Sequence, residues 1–140
     1  MDTYKLARNY VLKRKFKMIE DTEENLIFRY QFENIHICED QQGEDFLMIV
    51  LPVLNNITDE NYNEVVKCCN EINAELKHVK IYVVKKLLMI ASEIFYKGKK
   101  DLEYQMNRTL SSMIVAKDRF EKSFQHKSLA FFLSLQTLTF

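Results

Sequence analysis

The stretch from Ile57 to Glu75 constrains the fold most, because it is an amphipathic helix set between two blocks of strand-like sequence. Thr58 reads as its N-cap, with Asp59 and Glu60 placing negative charge in the first turn and Ile57 positioned to staple against Tyr62. Tyr62, Val65, Val66, Cys69, Ile72 and Leu76 form one apolar stripe, with Asn73 inside it and Asn70 at its edge. An unpaired buried amide costs about 1–3 kcal/mol. Asn73 is therefore expected to hydrogen-bond the backbone of an adjacent strand or loop, a structural role. Cys68 and Cys69 are neighbours on the helix and project about 100° apart, so they cannot chelate one ion, and Cys69 reads as a small core hydrophobe.

Before this helix the period changes. Tyr4 to Met18 reads as a first helix, with Tyr4, Ala7, Val11 and Met18 on one face and Leu6 and Tyr10 beside it. Its cations (Lys5, Arg8, Lys13, Arg14, Lys15, Lys17) surround the cylinder, as on a solvated face. From Glu24 the period drops to two: Leu26, Phe28, Tyr30 and Phe32 alternate with Ile27, Arg29 and Gln31, the pattern of a half-buried strand. Asn34 to Glu39 gives a second strand, with Ile35 and Ile37 on one face and His36 and Cys38 on the other. A polar turn around Gly43 leads to FLMIVLPV, a third strand with Pro52 near its end, where a missing donor is tolerated. The short connections imply an antiparallel meander.

After the central helix, VKIYVV and LLMIASEIFY read as two strands joined at Lys85 and Lys86, although residues 87–96 could also wind as a helix. Asp101 then caps a long last helix marked by Leu102, Met106, Thr109, Met113, Ala116 and Phe120 at helical spacing. The expected fold is α+β: helix, three strands, helix, two strands, helix, with an antiparallel sheet packed on helices. With 2 Gly and 1 Pro in 140 residues there is little linker sequence. Residues 1–125 are read as a single domain and 126–140 as an apolar C-terminal extension that lengthens the last helix, folds back over the sheet or covers a second subunit, with burial in the same domain or a dimer expected.

Composition narrows the function. Lys plus Arg equals Asp plus Glu at 20 each, without the basic excess by which nucleic-acid binders advertise themselves. The N-terminus lacks a signal-peptide apolar core, and the longest apolar runs fall short of the roughly 20 residues that span a bilayer. Three cysteines (Cys38, Cys68, Cys69) make an odd count that fits reduced thiols and a cytoplasmic protein. The glycosylation-type triplets at Asn56 and Asn107 carry no meaning without a secretory route. His36 and Cys38 could supply half a zinc site, and the acidic turn of Glu39, Asp40, Glu44 and Asp45 lacks calcium-loop spacing. Glycines at 43 and 98 cannot build a phosphate loop. His78 and His126 stand apart from any sequence-local nucleophile. No catalytic residue, metal or cofactor is expected.

The Asn70–Asn73 segment, Asn-Glu-Ile-Asn, lies about ten residues before VKIYVV; Asp101–Leu102 opens the last helix and Phe120 sits near its end. With the element order, these features resemble the YbjN-like bacterial sensory-transduction regulators and the type III secretion chaperone-like fold, from roughly Tyr4 to Phe124. The resemblance implies a non-enzymatic protein-interaction or regulatory domain that forms a homodimer, with no catalytic residues to carry over. Asn70, Asn73, Thr58 and Asp101 are its structural residues. Secretion chaperones are usually acidic and this chain is neutral, which places a chaperone for a secreted effector second. A nucleic-acid module using Arg29, Tyr30 and the lysines of the first helix comes last. The protein partner, of unknown identity, is expected to dock by strand addition or by apolar anchors.

Overall fold

The computed structural model describes residues 2–39, 45–53 and 56–138. The chain runs α1 (Thr3–Lys13), β1 (Lys17–Asp21), β2 (Leu26–Tyr30), β3 (Glu33–Glu39), β4 (Phe46–Val53), α2 (Tyr62–Glu75), β5 (Lys80–Val84), β6 (Leu87–Phe95) and α3 (Gly98–Leu138). The fold is α+β: the strands make one six-stranded antiparallel sheet in the order β1-β2-β3-β4-β6-β5, and the helices pack on it. LLMIASEIF is strand β6, pairing with β4 from Phe46↔Phe95 to Val53↔Leu88.

One strand was hidden inside the expected first helix. α1 stops at Lys13 and Lys17–Asp21 pairs with β2, so four strands rather than three precede α2. The stop is a Schellman motif: Phe16 N–H bonds the Val11 carbonyl at 3.2 Å and Lys15 N–H bonds the Leu12 carbonyl at 3.1 Å. Lys15 takes the left-handed position at φ 59 that glycine ordinarily fills. Phe16 is thereby turned inward, stacking on Phe28 at 5.7 Å and meeting Tyr30 edge-on at 5.3 Å.

The same economy recurs at the hairpins. β2 and β3 are joined by Gln31 and Phe32 at φ 46 and 69, and β5 and β6 by Lys85 and Lys86 at φ 49 and 64. Two successive positive φ values define a type I′ turn, whose twist matches that of the strands it joins. Neither turn contains the Asn-Gly pair that normally announces it.

α2 begins later than its sequence suggests. Its N-cap is Asn61, and Thr58 lies outside the helix. The two residues bond reciprocally: Asn61 Oδ1 accepts from Thr58 N–H at 2.8 Å, and Thr58 Oγ1 accepts from Asn61 N–H at 3.2 Å. Residues 59–61 are thus closed into a turn before the helix can start. Ile57 is buried, but Tyr62 is exposed, so the two do not staple. The buried arc is Val65, Cys68, Cys69 and Ile72, with Leu76 packed beside it. Val66 turns outward and Cys68 turns in, because α2 must pack on both β5 and α3.

α3 starts at Gly98 (φ 76), three residues before Asp101. Asp101 acts from inside the first turn, accepting at Oδ2 from Lys97 N–H (2.7 Å) and from Gln105 Nε2 (3.1 Å). Leu102, Met106, Thr109, Leu110, Met113, Ala116 and Phe120 bury the inner face of this helix. Its backbone continues to Leu138. The side chains of the apolar residues in 126–140, and the acidic turn at 40–44 with Gly43, lie outside the described residues.

Candidate functional site

The sheet has two faces with different fates. Leu26, Phe28, Ile35, Ile37, Leu47, Ile49, Leu51, Val53, Ile81, Leu88, Ile90 and Ile94 belong to one buried cluster with residues of α1, α2 and α3. All three helices therefore lie on one face. The strand alternation sends the other side chains to the opposite, open face. The registers align Glu20, Ile27, His36, Val50, Ala91 and Lys80 as one row across it. Val50 and Ala91 are buried at 5% and 0% exposure without belonging to the helix-side cluster. Larger neighbours on their own face shelter them.

Those neighbours are apolar except for His36 and the Lys80–Glu93 ion pair at 3.0 Å. Phe46 and Phe95 pair at 5.0 Å near one end, while Val84 and Leu87 stand exposed at the other. Met48, Pro52, Met89 and Tyr82 fill the half-buried middle. Phe95 is 66% exposed, Leu87 54% and Ile19 40%. Cys38 is a free thiol exposed on this face, its pKa pushed up by partial desolvation among its neighbours, and the two other free cysteines, Cys68 and Cys69, are buried on the inner side of α2. His36 is half-buried there; desolvation lowers its pKa, and the carboxylate of Glu20 partly opposes that shift. Among the described residues no cluster of three or more His, Cys, Asp or Glu side chains could hold a metal ion.

Both sheet edges carry features that hinder strand addition. β5 is an edge strand, and Ile81 would otherwise present its backbone groups outward. Asn73 answers both: its Nδ2 donates to the Ile81 carbonyl at 2.9 Å and its Oδ1 accepts from Ile81 N–H at 2.8 Å. A single amide thus stands in for a residue of a seventh strand. Asn73 sits at the solvent margin of α2, not in its buried arc. Asn70 lies exposed on the same helix and away from this bond. At the other edge β1 carries Lys17, Glu20 and Asp21 and a bulge between Met18 and Glu20. Arg8 of α1 pairs with Asp21 at 2.7 Å. Charge, a bulge and a covering side chain are three of the devices that keep edges from pairing.

A groove of about 410 Å³ opens where β3 and β4 part, lined by Arg29, Phe32, His36 and Pro52 and walled by Lys117 and Glu121 of α3. The β3–β4 ladder extends only to His36↔Val50, whereas the β4–β6 ladder continues through Pro52↔Met89. Proline has no N–H to offer a further rung toward β3. Phe32 stands over this groove at 93% exposure with φ 69, an unusual backbone state for an aromatic residue. Lys117 bridges Glu33 and Glu121. Burial disfavours its charge, but the bonds to both carboxylates outweigh this and raise its pKa.

His78 gains partners that its sequence position concealed. Its Nε2 lies 2.6 Å from Thr109 Oγ1, and its carbonyl accepts from Ser92 Oγ at 3.0 Å. Thr109 and Ser92 are buried at 0% and 2% exposure, so this set ties the β5 approach to α3 and β6. Open-face residues such as Phe95 and Leu87 escaped the sequence reading because LLMIASEIF is apolar on both sides of its alternation.

Such a molecule, with one sheet face covered by helices and the other without a helix over it among the described residues, belongs architecturally to the α+β sheet domains. The particular fold is YbjN-like. The chain is similar to the crystal structure of YbjN, a putative transcription regulator from E. coli, with TM-score 0.65 and 8% identity over 87% of this chain and 92% of that one. It is also similar to an uncharacterized protein from Methanothermobacter thermautotrophicus, with TM-score 0.69 and 13% identity over 90% and 99% of the two chains. No family model matches the sequence, and no curated protein does. No helix among the described residues is long and apolar enough to cross a membrane.

Proposed function

We propose that this chain is a non-catalytic, cytoplasmic protein-interaction domain of a regulatory protein, and that it docks protein through the open face of its sheet, first of all as a homodimer. The observation that carries the reading is the exposed apolar surface of that face: Phe46 and Phe95 pair at one end, Val84 and Leu87 stand at the other, and among the described residues no helix lies over them. Exposed apolar surface of this kind marks docking sites. The protected edges favour face-on docking over strand addition. The similar E. coli protein is described as a putative transcription regulator, which fits a regulatory role here. Exposed Cys38 suits a reducing compartment.

Light scattering of the full chain, with and without the double substitution Phe95→Asp and Leu87→Asp, tests the proposal. The parent is expected to run as a dimer at micromolar concentration and the variant as a folded monomer. Cys38 should react with maleimide faster in the variant. A parent that stays monomeric and recovers no protein partner, or a variant that associates as the parent does, would overturn the reading.

A further inference from the structure

On the helix side, away from the open face, α1, β2 and α3 enclose a polar pocket of about 260 Å³ lined by Tyr10, Arg14, Tyr30, Asn107, Leu110 and Ser111. The bonds already made among these groups decide what the pocket can accept. Tyr10, which is buried and whose pKa is pushed up to about 12 by that burial, stays a neutral phenol and donates to Asn107 Oδ1 at 2.5 Å. The Asn107 acceptor is thereby consumed, and its amide N–H₂ remains. Tyr30 accepts from Gln31 Nε2 at 3.3 Å and so keeps its own proton to give. Ser111 stands one turn beyond Asn107 on α3 and contributes a hydroxyl. Arg14 sits 5.5 Å above the Phe16 ring and has no carboxylate partner among the described residues. The capacity left over is mainly donor capacity with one positive charge.

We infer that this pocket binds a small oxyanion, a phosphate or carboxylate group, held by the Arg14 guanidinium, the Asn107 amide and the hydroxyls of Ser111 and Tyr30. Its volume suits one such head group with a few waters rather than a whole nucleotide. Arg14 supplies the planar donor fork that fits carboxylate and phosphate geometry. One negative charge stands near: Glu103, a turn before Asn107, whose Oε2 pairs with Lys13 at 3.2 Å and whose Oε1 is buried without a partner. Lys13 offsets that charge, and Arg14 is left as the cation without a carboxylate partner among the described residues.

Titration of the labelled full chain by heteronuclear NMR tests the site, with inorganic phosphate and then sodium acetate, against potassium chloride at matched ionic strength. Saturable shifts at Arg14, Asn107 and Ser111 with phosphate alone identify a phosphate site, and with both anions a general oxyanion site. Arg14→Gln should weaken binding roughly tenfold or more, the loss of one charge-assisted contact. Asn107→Asp keeps the acceptor for Tyr10 but adds a repelling charge, and should abolish binding while the melting curve shows a folded chain. Shifts that fail to saturate, that chloride reproduces, or that both variants retain would overturn the proposal.

Discussion

The two faces of the sheet differ in cover and in charge: the helix-covered side is lined by apolar residues, whereas the open side mixes apolar residues with Glu20, Arg29, His36, Lys80 and Glu93. Ile49 and Val50 are adjacent on β4, one locked under the helices and the other facing outward among Met48, Pro52 and Met89. What differs is what lies above them. The covered face has rigid helical partners for each side chain, so changing it changes stability. The open face has only its own neighbours, so changing it should alter association first.

The largest expected effect tests the covered face. Phe28→Ala removes a fully buried ring that stacks on Phe16, and should cost about 3–5 kcal/mol in denaturant unfolding. Phe95→Ala on the open face should move the isolated monomer by no more than roughly 0.5 kcal/mol. Equal losses at the two sites would erase the distinction between the faces.

Asn73→Leu comes next. It strips two bonds from the Ile81 backbone at the β5 edge and should cost about 1–3 kcal/mol. It should also raise thioflavin-positive aggregation, since the edge is uncovered. An unchanged melting temperature would show that water replaces the amide without penalty.

pH separates the faces by sign. Under the helices, Cys69 is raised from 9.0 to about 11 and Tyr10 from 10.0 to about 12, in both cases chiefly by burial. The folded chain therefore holds protons that the unfolded chain releases, and stability should fall as pH rises from about 9 toward 12. Lys117, raised above 10.5, loses its stabilising charge in the same direction. His36 on the open face is lowered from 6.5, so the unfolded chain binds its proton more readily and a smaller loss should appear as pH falls below 6.5. Urea midpoints across pH 5–11 would read both limbs, and His36→Gln should flatten the acidic one alone.

The smallest effect belongs to a turn. Lys15→Gly at the end of α1 should stabilise by roughly 0.5–1 kcal/mol, because glycine meets φ 59 without a Cβ penalty. A destabilised variant would mean that the lysine stem contributes packing that outweighs its strain.

Much of this architecture is legible in the residues. Period-two alternation located β2 and β3, β-branched and aromatic content located β5, helical spacing located α2 and α3, and the polar Asn73 announced that it needed a partner. The turns were not legible. A chain with 2 Gly places Lys15, Gln31, Phe32, His78, Lys85 and Lys86 at positive φ, and of these residue types only histidine is enriched in that state. β1 was lost for this reason, because nothing in Lys13–Phe16 looks like a helix stop. Thr58 and Asp101 were recognised as helix-start residues but misplaced by a turn, since cap geometry depends on the bonds the neighbouring backbone makes.

By itself, then, the sequence determined most of the element types, though not β1 or the choice between strand and helix at 87–96, together with the faces that β2 and β3 offer and the scarcity of chemistry-bearing motifs, because these follow from local periodicity and residue type. Which face would be covered, that one amide would close the β5 edge, and that Tyr10, Arg14 and Ser111 would share a pocket were decided only by tertiary structure. Those outcomes join residues up to about a hundred positions apart, as Tyr10 and Asn107 are at a separation of 97. Only the packing of three helices on one side of the sheet brings such residues within hydrogen-bonding distance.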